Sequence, residues 1–174
     1  MQFNRDKFKA LVHLVCRECR DPSKLGKTKL HKILWLSDVE NYKIRATPLS
    51  GERYIKQRFG PCADHLDSVL NELVKEGRLH IESPEEEYES FKFYAKGEPD
   101  ISLFSDKEMN TIKNQIINIY GSHTATSISD RSHDEIWEMA IMYEEIPYQA
   151  YLVKRLAKPT EEDFAWAKAE IEKL

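Results

Sequence analysis

The sequence predicts a mainly α-helical fold with one small antiparallel β-hairpin, an α+β arrangement in which a helical bundle contains a winged-helix-like unit. Three observations carry this expectation. Apolar residues recur at three- and four-residue spacing over residues 4–20, 27–42 and 66–74. Two short stretches, residues 78–83 and 90–96, alternate apolar and polar side chains on either side of the acidic turn Pro84-Glu85-Glu86-Glu87. Helix-start signatures follow at Ser105-Asp106-Lys107-Glu108 and Ser132-His133-Asp134-Glu135.

In the first helix, residues 4–20, Phe8, Leu11, Val12, Val15, Cys16 and Cys19 form one stripe, and Asp21-Pro22 stops it. In the second, residues 27–42, Leu30, Ile33, Leu34, Trp35, Leu36 and Val39 cover most of the circumference, which predicts a central, buried helix. Thr47-Pro48-Leu49-Ser50-Gly51 has the composition of a loop, and residues 53–59 fit either strand or helix. Gly60-Pro61 is expected to break the chain and start a third helix carrying Leu66, Val69, Leu70, Leu73 and Val74, with Gly77 at its C-terminal cap. The hairpin comes next, and helix followed by hairpin is the outline of a winged-helix unit. Ser105 then opens a helix bearing Ile112, Ile116, Ile119 and Tyr120, which ends at Gly121. Ser132 is expected to cap a helix containing Ile136, Trp137, Ala140 and Ile141, and Thr160 a last one containing Phe164, Ala167, Ile171 and Leu174. No repeat or long linker interrupts the pattern, so residues 1–174 read as one domain with helical extensions at 4–20 and 160–174.

Composition narrows the function classes. At 174 residues, 41% hydrophobic and 32% charged, the chain can bury a core and is not generally disordered. No apolar run approaches the roughly 20 residues that a membrane-crossing helix needs. The opening stretch spreads charge among its apolar residues and lacks a small-residue cleavage site, so it reads as a helix and not as a secretion signal. A cytoplasmic protein without a membrane partner is expected. Three cysteines, an odd count, do not suggest a disulfide framework. A net charge of -4 means that the chain as a whole does not attract phosphate.

Catalytic and metal sites each meet a simpler explanation. His13, Cys16 and Cys19 match half of a zinc motif, but residues six apart on a helix diverge by about two-thirds of a turn. Core packing accounts for them, and no metal or cofactor is expected. Ser132, His133, Asp130 and Asp134 are neighbours in sequence, which is not the geometry of a triad, and no nucleophile elbow accompanies them. Gly26-Lys27-Thr28 resembles the tail of a phosphate-binding loop but lacks the upstream glycine. The helix that would read DNA shows Asp64, His65, Asp67, Ser68, Asn71, Glu72, Lys75 and Glu76 once its apolar stripe is removed, a mainly acidic face. The basic residues Lys27, Lys29, Lys32, Lys43 and Arg45 lie elsewhere and spread too far to act as one contact. Asp38 sits inside an apolar helix and needs a partner, with Arg53 and Arg58 as candidates, or a path to solvent. Pairing is the stronger reading and would set the helix against residues 51–61.

Three segments occur in an order that resembles the SocA-like (Panacea) antitoxin domain, which is also found in phage-associated proteins. The first is Thr28-Lys29-Leu30-His31-Lys32-Ile33-Leu34-Trp35-Leu36-Ser37-Asp38. The second joins Gly51-Glu52-Arg53-Tyr54 to Phe59-Gly60-Pro61, and the third is Tyr120-Gly121 with Ser132-His133 and Trp137. They span residues 28–137. His31 and Trp35 depart mildly from the family's commoner amide and Tyr or Phe. The resemblance implies a non-enzymatic antitoxin that neutralises a toxin encoded nearby by direct binding. Two alternatives accompany it: an adaptor that delivers a bound toxin to a protease, with a protease or chaperone as second partner, and a winged-helix regulator of nucleic acid. Lys29, Leu30, Trp35, Asp38, Gly51, Tyr54, Gly60, Pro61, Ser132, His133 and Trp137 are the motif positions, expected to hold the scaffold or border the interface.

Overall fold

Asn4 opens the first helix. Its side-chain oxygen accepts a hydrogen bond from the Lys7 amide, and α1 then runs over Arg5–Glu18. The computed structural model describes residues 2–86 and 89–153 of the chain. Glu87 of the acidic turn and the helix expected over residues 160–174 therefore lie outside the described residues. Phe8, Leu11, Val12 and Val15 are buried as their spacing predicts, and Ala10, His13 and Leu14 are buried as well, so the second half of α1 is covered on more than one side.

α2 spans Pro22–Arg45, with Asp21 capping its first turn and a break at Gly26 that makes Lys27 the start of its long continuous part. Because α2 is apolar around most of its circumference, it can pack on several sides at once. It touches α1, the later helices over Asp106–Ser122, Ala125–Arg131 and Tyr148–Val153, and strands from both hairpins. Leu30, Ile33, Leu34 and Val39 are all sealed from solvent there.

The expected helix start at Gly60-Pro61 is a strand instead. β1 (Tyr54–Gln57) pairs antiparallel with β2 (Gly60–Ala63), Tyr54 facing Ala63 and Gln57 facing Gly60. Gly60 has φ 95°, outside any helical conformation, and Pro61 is tolerated because β2, the strand that holds it, pairs only with β1 and is an edge. α3 begins only at Leu66 and covers Leu66–Lys75. It ends as its sequence predicts: the Gly77 and Arg78 amides turn back onto the Val74 and Leu73 carbonyls. β3 (Leu79–Glu82) and β4 (Lys92–Ala95) form the predicted second hairpin.

The order helix-then-hairpin does not establish a winged-helix unit. The polar face of α3 is partly covered by α1 and the chain before it. Arg5 pairs with Glu72, Lys9 reaches Glu76 at 2.7 Å, and Phe3 stacks on His65 with ring centres 4.4 Å apart. Asp67, Ser68, Asn71, Lys75 and Glu76 remain exposed on α3 and at its end, and Glu72 is half-buried beside them. A surface with three carboxylates to one lysine repels the phosphates of a nucleic-acid groove.

α4 covers Asp106–Ser122 and opens with the predicted reciprocal cap between Ser105 and Glu108. α5 (Ala125–Arg131) was not expected from periodicity; Thr124 and Ser127 form a second capping box at its start. α6 (Glu135–Met139) is capped by Asp134, whose side chain accepts from the Trp137 amide at 3.0 Å. Ser132, the expected cap, instead ends α5 and donates its hydroxyl to the Ser129 carbonyl at 2.7 Å. Ala140 turns extended, so Ile141 falls outside the helix predicted for it. α7 runs over Tyr148–Val153. No helix among the described residues is long and apolar enough to cross a membrane.

Burial on α2 and exposure on α4 give a direct check of this packing. Ile33→Ala, at a sealed position, is expected to cost about 3 kcal/mol in urea unfolding, whereas Ile117→Ala should stay within about 0.5 kcal/mol. Equal effects would contradict the assigned faces.

Candidate functional site

Most of the motif residues named from sequence meet at one element, the β1–β2 hairpin. Asp38 holds its base. The carboxylate is fully buried and accepts three hydrogen bonds: from the Ser50 amide and hydroxyl, each at 2.7 Å, and from the Tyr54 hydroxyl at 2.8 Å. Neither expected arginine takes part. Arg53 pairs with Asp64 at 2.6 Å, and Arg58 lies over the Phe59 ring. The centre of an apolar helix is better served by short donors, since a guanidinium brought there would itself need desolvating. Burial pushes the Asp38 carboxyl up to about 6, against the pull of its three donors.

The tip of the hairpin is fastened at Gly60. A Cβ there would lie 2.1 Å from the Ser132 hydroxyl oxygen and 2.4 Å from Lys32 Nζ, so only glycine allows β2, α2 and the end of α5 to approach so closely. Lys32 is buried and donates to the Pro61 carbonyl at 3.0 Å, and burial pushes its pKa down to about 8. The residue before it, His31, accepts the Ala63 amide on Nδ1 at 3.0 Å. Burial, then the charges of Lys32 and Lys27, push its ring down to about 3.

The outer side of the hairpin meets α6. His133 stacks on Trp137 with ring centres 3.8 Å apart, and the Trp137 indole donates to the Gln57 carbonyl at 3.3 Å. Lys56 Nζ sits 4.3 Å from the centre of the Trp137 ring and donates to the Glu138 and Ala140 carbonyls. That places a cation on the negative end of α6.

Asp38, Tyr54, Gly60, Pro61, Ser132, His133 and Trp137 thus surround one hairpin. Gly51 follows Ser50 in the loop leading to it. Lys29, Leu30 and Trp35 do not join them: Lys29 lies over the Tyr120 ring, Leu30 is in the core, and Trp35 meets Tyr151 edge-on. Four residues of the arrangement, His31, Lys32, Ser50 and Lys56, were not among the positions singled out. The place of His31 and Lys32 within the segment Thr28–Asp38 was the signal available for those two.

Residues 30–138 match the family described as antitoxin SocA-like, Panacea domain. The chain belongs to this family. No curated protein and no solved structure matches it.

Other candidate sites in this Panacea domain are occupied by internal bonds. His13 faces the Lys96 carbonyl through Nε2 at 3.0 Å and Arg78 through Nδ1 at 2.9 Å, so both ring nitrogens are engaged. Cys16 and Cys19 are buried, and burial pushes both thiols up, Cys19 to about 12. Lys29 and Lys32 are buried, Lys27 pairs with Asp67 and Lys43 with Glu40, so the basic stretch of the sequence forms no surface patch.

Just beyond the matched residues, the chain leaves α6 and exposes Met139, Ile141 and Tyr143 to 85%, 64% and 73%. The Glu144 amide closes a turn onto the Ile141 carbonyl at 3.1 Å, with Tyr143 at φ 69°. A tyrosine in that left-handed region costs about 1–2 kcal/mol relative to glycine. The turn is nevertheless anchored to the hairpin: the Tyr143 amide donates to Lys56, the Lys56 amide to Glu144, and the Ile146 amide to Tyr54. Beside it runs an apolar groove of about 560 Å³.

Gly60→Ala is expected to destabilise the domain by at least about 3 kcal/mol, because overpacking adds to a positive φ. Adding Ser132→Ala should recover only part of that loss, read as a partial return of the urea midpoint. For His31, folding lowers the ring pKa from about 6.5 to about 3. The stability it contributes is therefore complete above about pH 6.5 and lost as pH falls toward 3. Imidazole NMR shifts should show a neutral His31 ring at pH 5; a ring titrating near 6.5 would remove it from the site.

Proposed function

We propose that this Panacea domain is an antitoxin that neutralises a toxin encoded beside it through direct protein–protein contact and without catalysis. The match over residues 30–138 is the observation that carries this reading. The side-chain chemistry supports it. The buried polar groups that could have formed a reactive set are spent on internal hydrogen bonds: Asp38 and Lys32 on the β1–β2 hairpin and the loop before it, and Ser132 on the Ser129 carbonyl at the end of α5. A catalytic group must reach its substrate, and these are sealed. The polar face of α3, which a nucleic-acid regulator would use, is acidic and paired with α1. What this fold offers a partner is exposed apolar surface, the usual currency of protein recognition.

Co-expression tests the reading. Induction of the neighbouring open reading frame alone should arrest growth, and adding this chain should restore colony formation by several orders of magnitude. The pair should also co-purify in a defined ratio. A growth-arresting neighbour that this chain fails to neutralise defeats the antitoxin reading, and tight, salt-sensitive binding to its own operator by the isolated chain would favour the regulator.

A further inference from the structure

The geometry points to the groove beside α6 as the partner's docking surface, filled by an apolar segment of the toxin flanked by lysine or arginine. This rests on the antitoxin reading and adds where and by what chemistry the contact is made. Ile136, Met139, Ile141, Ile146, Pro147 and Ala150 supply the groove's apolar lining, and Glu144 and Glu145 stand on its rim. Glu138 is exposed at the same end of α6. Glu138, Glu144 and Glu145 make no ion pair among the described residues, so their charge is available to a cationic partner.

Three further features fit a surface made for contact. Met139 and Met142, two of the chain's four methionines, both lie here, and unbranched thioethers adapt to irregular partners. Tyr143 occupies a backbone position that glycine would fill at lower cost, and the fold gains no burial from it because the ring stays in solvent. The surface is nonetheless rigidly based, since residues 143–146 are hydrogen-bonded to β1. A preformed apolar surface loses little freedom when a partner orders it. A second copy of this chain is the poorer occupant. A two-fold contact would set Glu138, Glu144 and Glu145 of one copy against the same three of the other.

The test uses the full chain and the toxin encoded beside it, measuring growth rescue and the affinity of the purified proteins. Met139→Asp and Ile141→Asp alter exposed side chains and should keep the wild-type Tm while weakening binding at least tenfold and abolishing rescue. Ile117→Asp, on exposed α4 surface, should change neither. Tyr143→Gly should raise Tm yet weaken binding, a combination that a purely structural tyrosine would not give. Glu144→Lys with Glu145→Lys should slow association and flatten its salt dependence. If wild type neutralises the toxin and the groove variants do so equally well, the docking surface is wrong and the antitoxin reading stands. If wild type does not neutralise it, both fall. Self-association abolished by Ile141→Asp would give the groove to a second copy, and a photocrosslinker at position 143 that captures residues 154–174 of its own chain would give it to that segment; either overturns the proposal.

Discussion

A carboxylate sealed inside an apolar helix is tolerable only if donors satisfy it, and the geometry of this domain follows from how Asp38 meets that condition. Its three donors come from two places, the loop at Ser50 and the first strand at Tyr54. Satisfying Asp38 therefore places β1 against α2. Once β1 is placed, its other edge receives the chain after α6, through the bonds that join Tyr54 and Lys56 to Tyr143, Glu144 and Ile146. A chain of hydrogen bonds thus runs from the buried centre of α2 to the exposed turn. Removing one member of such a set leaves the others buried and unpaired, which costs about 3–5 kcal/mol for a charged partner.

The same helix carries two buried lysines and the half-buried imidazole of His31, which is unusual for a central element. Apolar side chains at these positions would be as stable or more so, so the polar groups are better understood as setting one arrangement of the hairpin over others. Lys32 and His31 each bind backbone of β2, at Pro61 and Ala63, two residues apart along the strand. A slip in register by one residue would strand both. Gly60 completes the lock by admitting Lys32 and Ser132 to positions that a Cβ would fill.

The motif residues gathered at the hairpin are engaged mainly in contacts inside the domain, and the exposed apolar turn lies beside them. Trp137 shows the division. Its ring is wedged between His133 and Lys56, and the chain two residues later emerges as the exposed Met139.

Elements whose signals are local were legible in the sequence. The periodic stripes of α1, α2 and α3, the alternation of β3 and β4, the Ser105–Glu108 box and the Gly77 cap depend on residues within a few positions of one another. The motif residues were legible as a set, but their mutual arrangement was not. Asp38 was recognised as needing a partner, yet Ser50 and Tyr54 were found only in three dimensions, because any donor within reach satisfies a carboxylate and reach is tertiary. The β1–β2 ribbon was missed because Gly60-Pro61 breaks a chain equally well into helix or strand, and what decides is the pairing with Tyr54–Gln57 under Lys32 and His31. Asp134 displaced Ser132 as a cap for the same reason: Ser132 is drawn against Gly60 and turned onto Ser129. Periodicity, caps and composition thus determined α1 to α4, the second hairpin and the acidic balance, while the short helices α5 and α7 carried no periodic stripe; packing around buried Asp38, Lys32 and Gly60 decided where the first hairpin sits, because buried polar groups choose partners by distance in space and not along the chain.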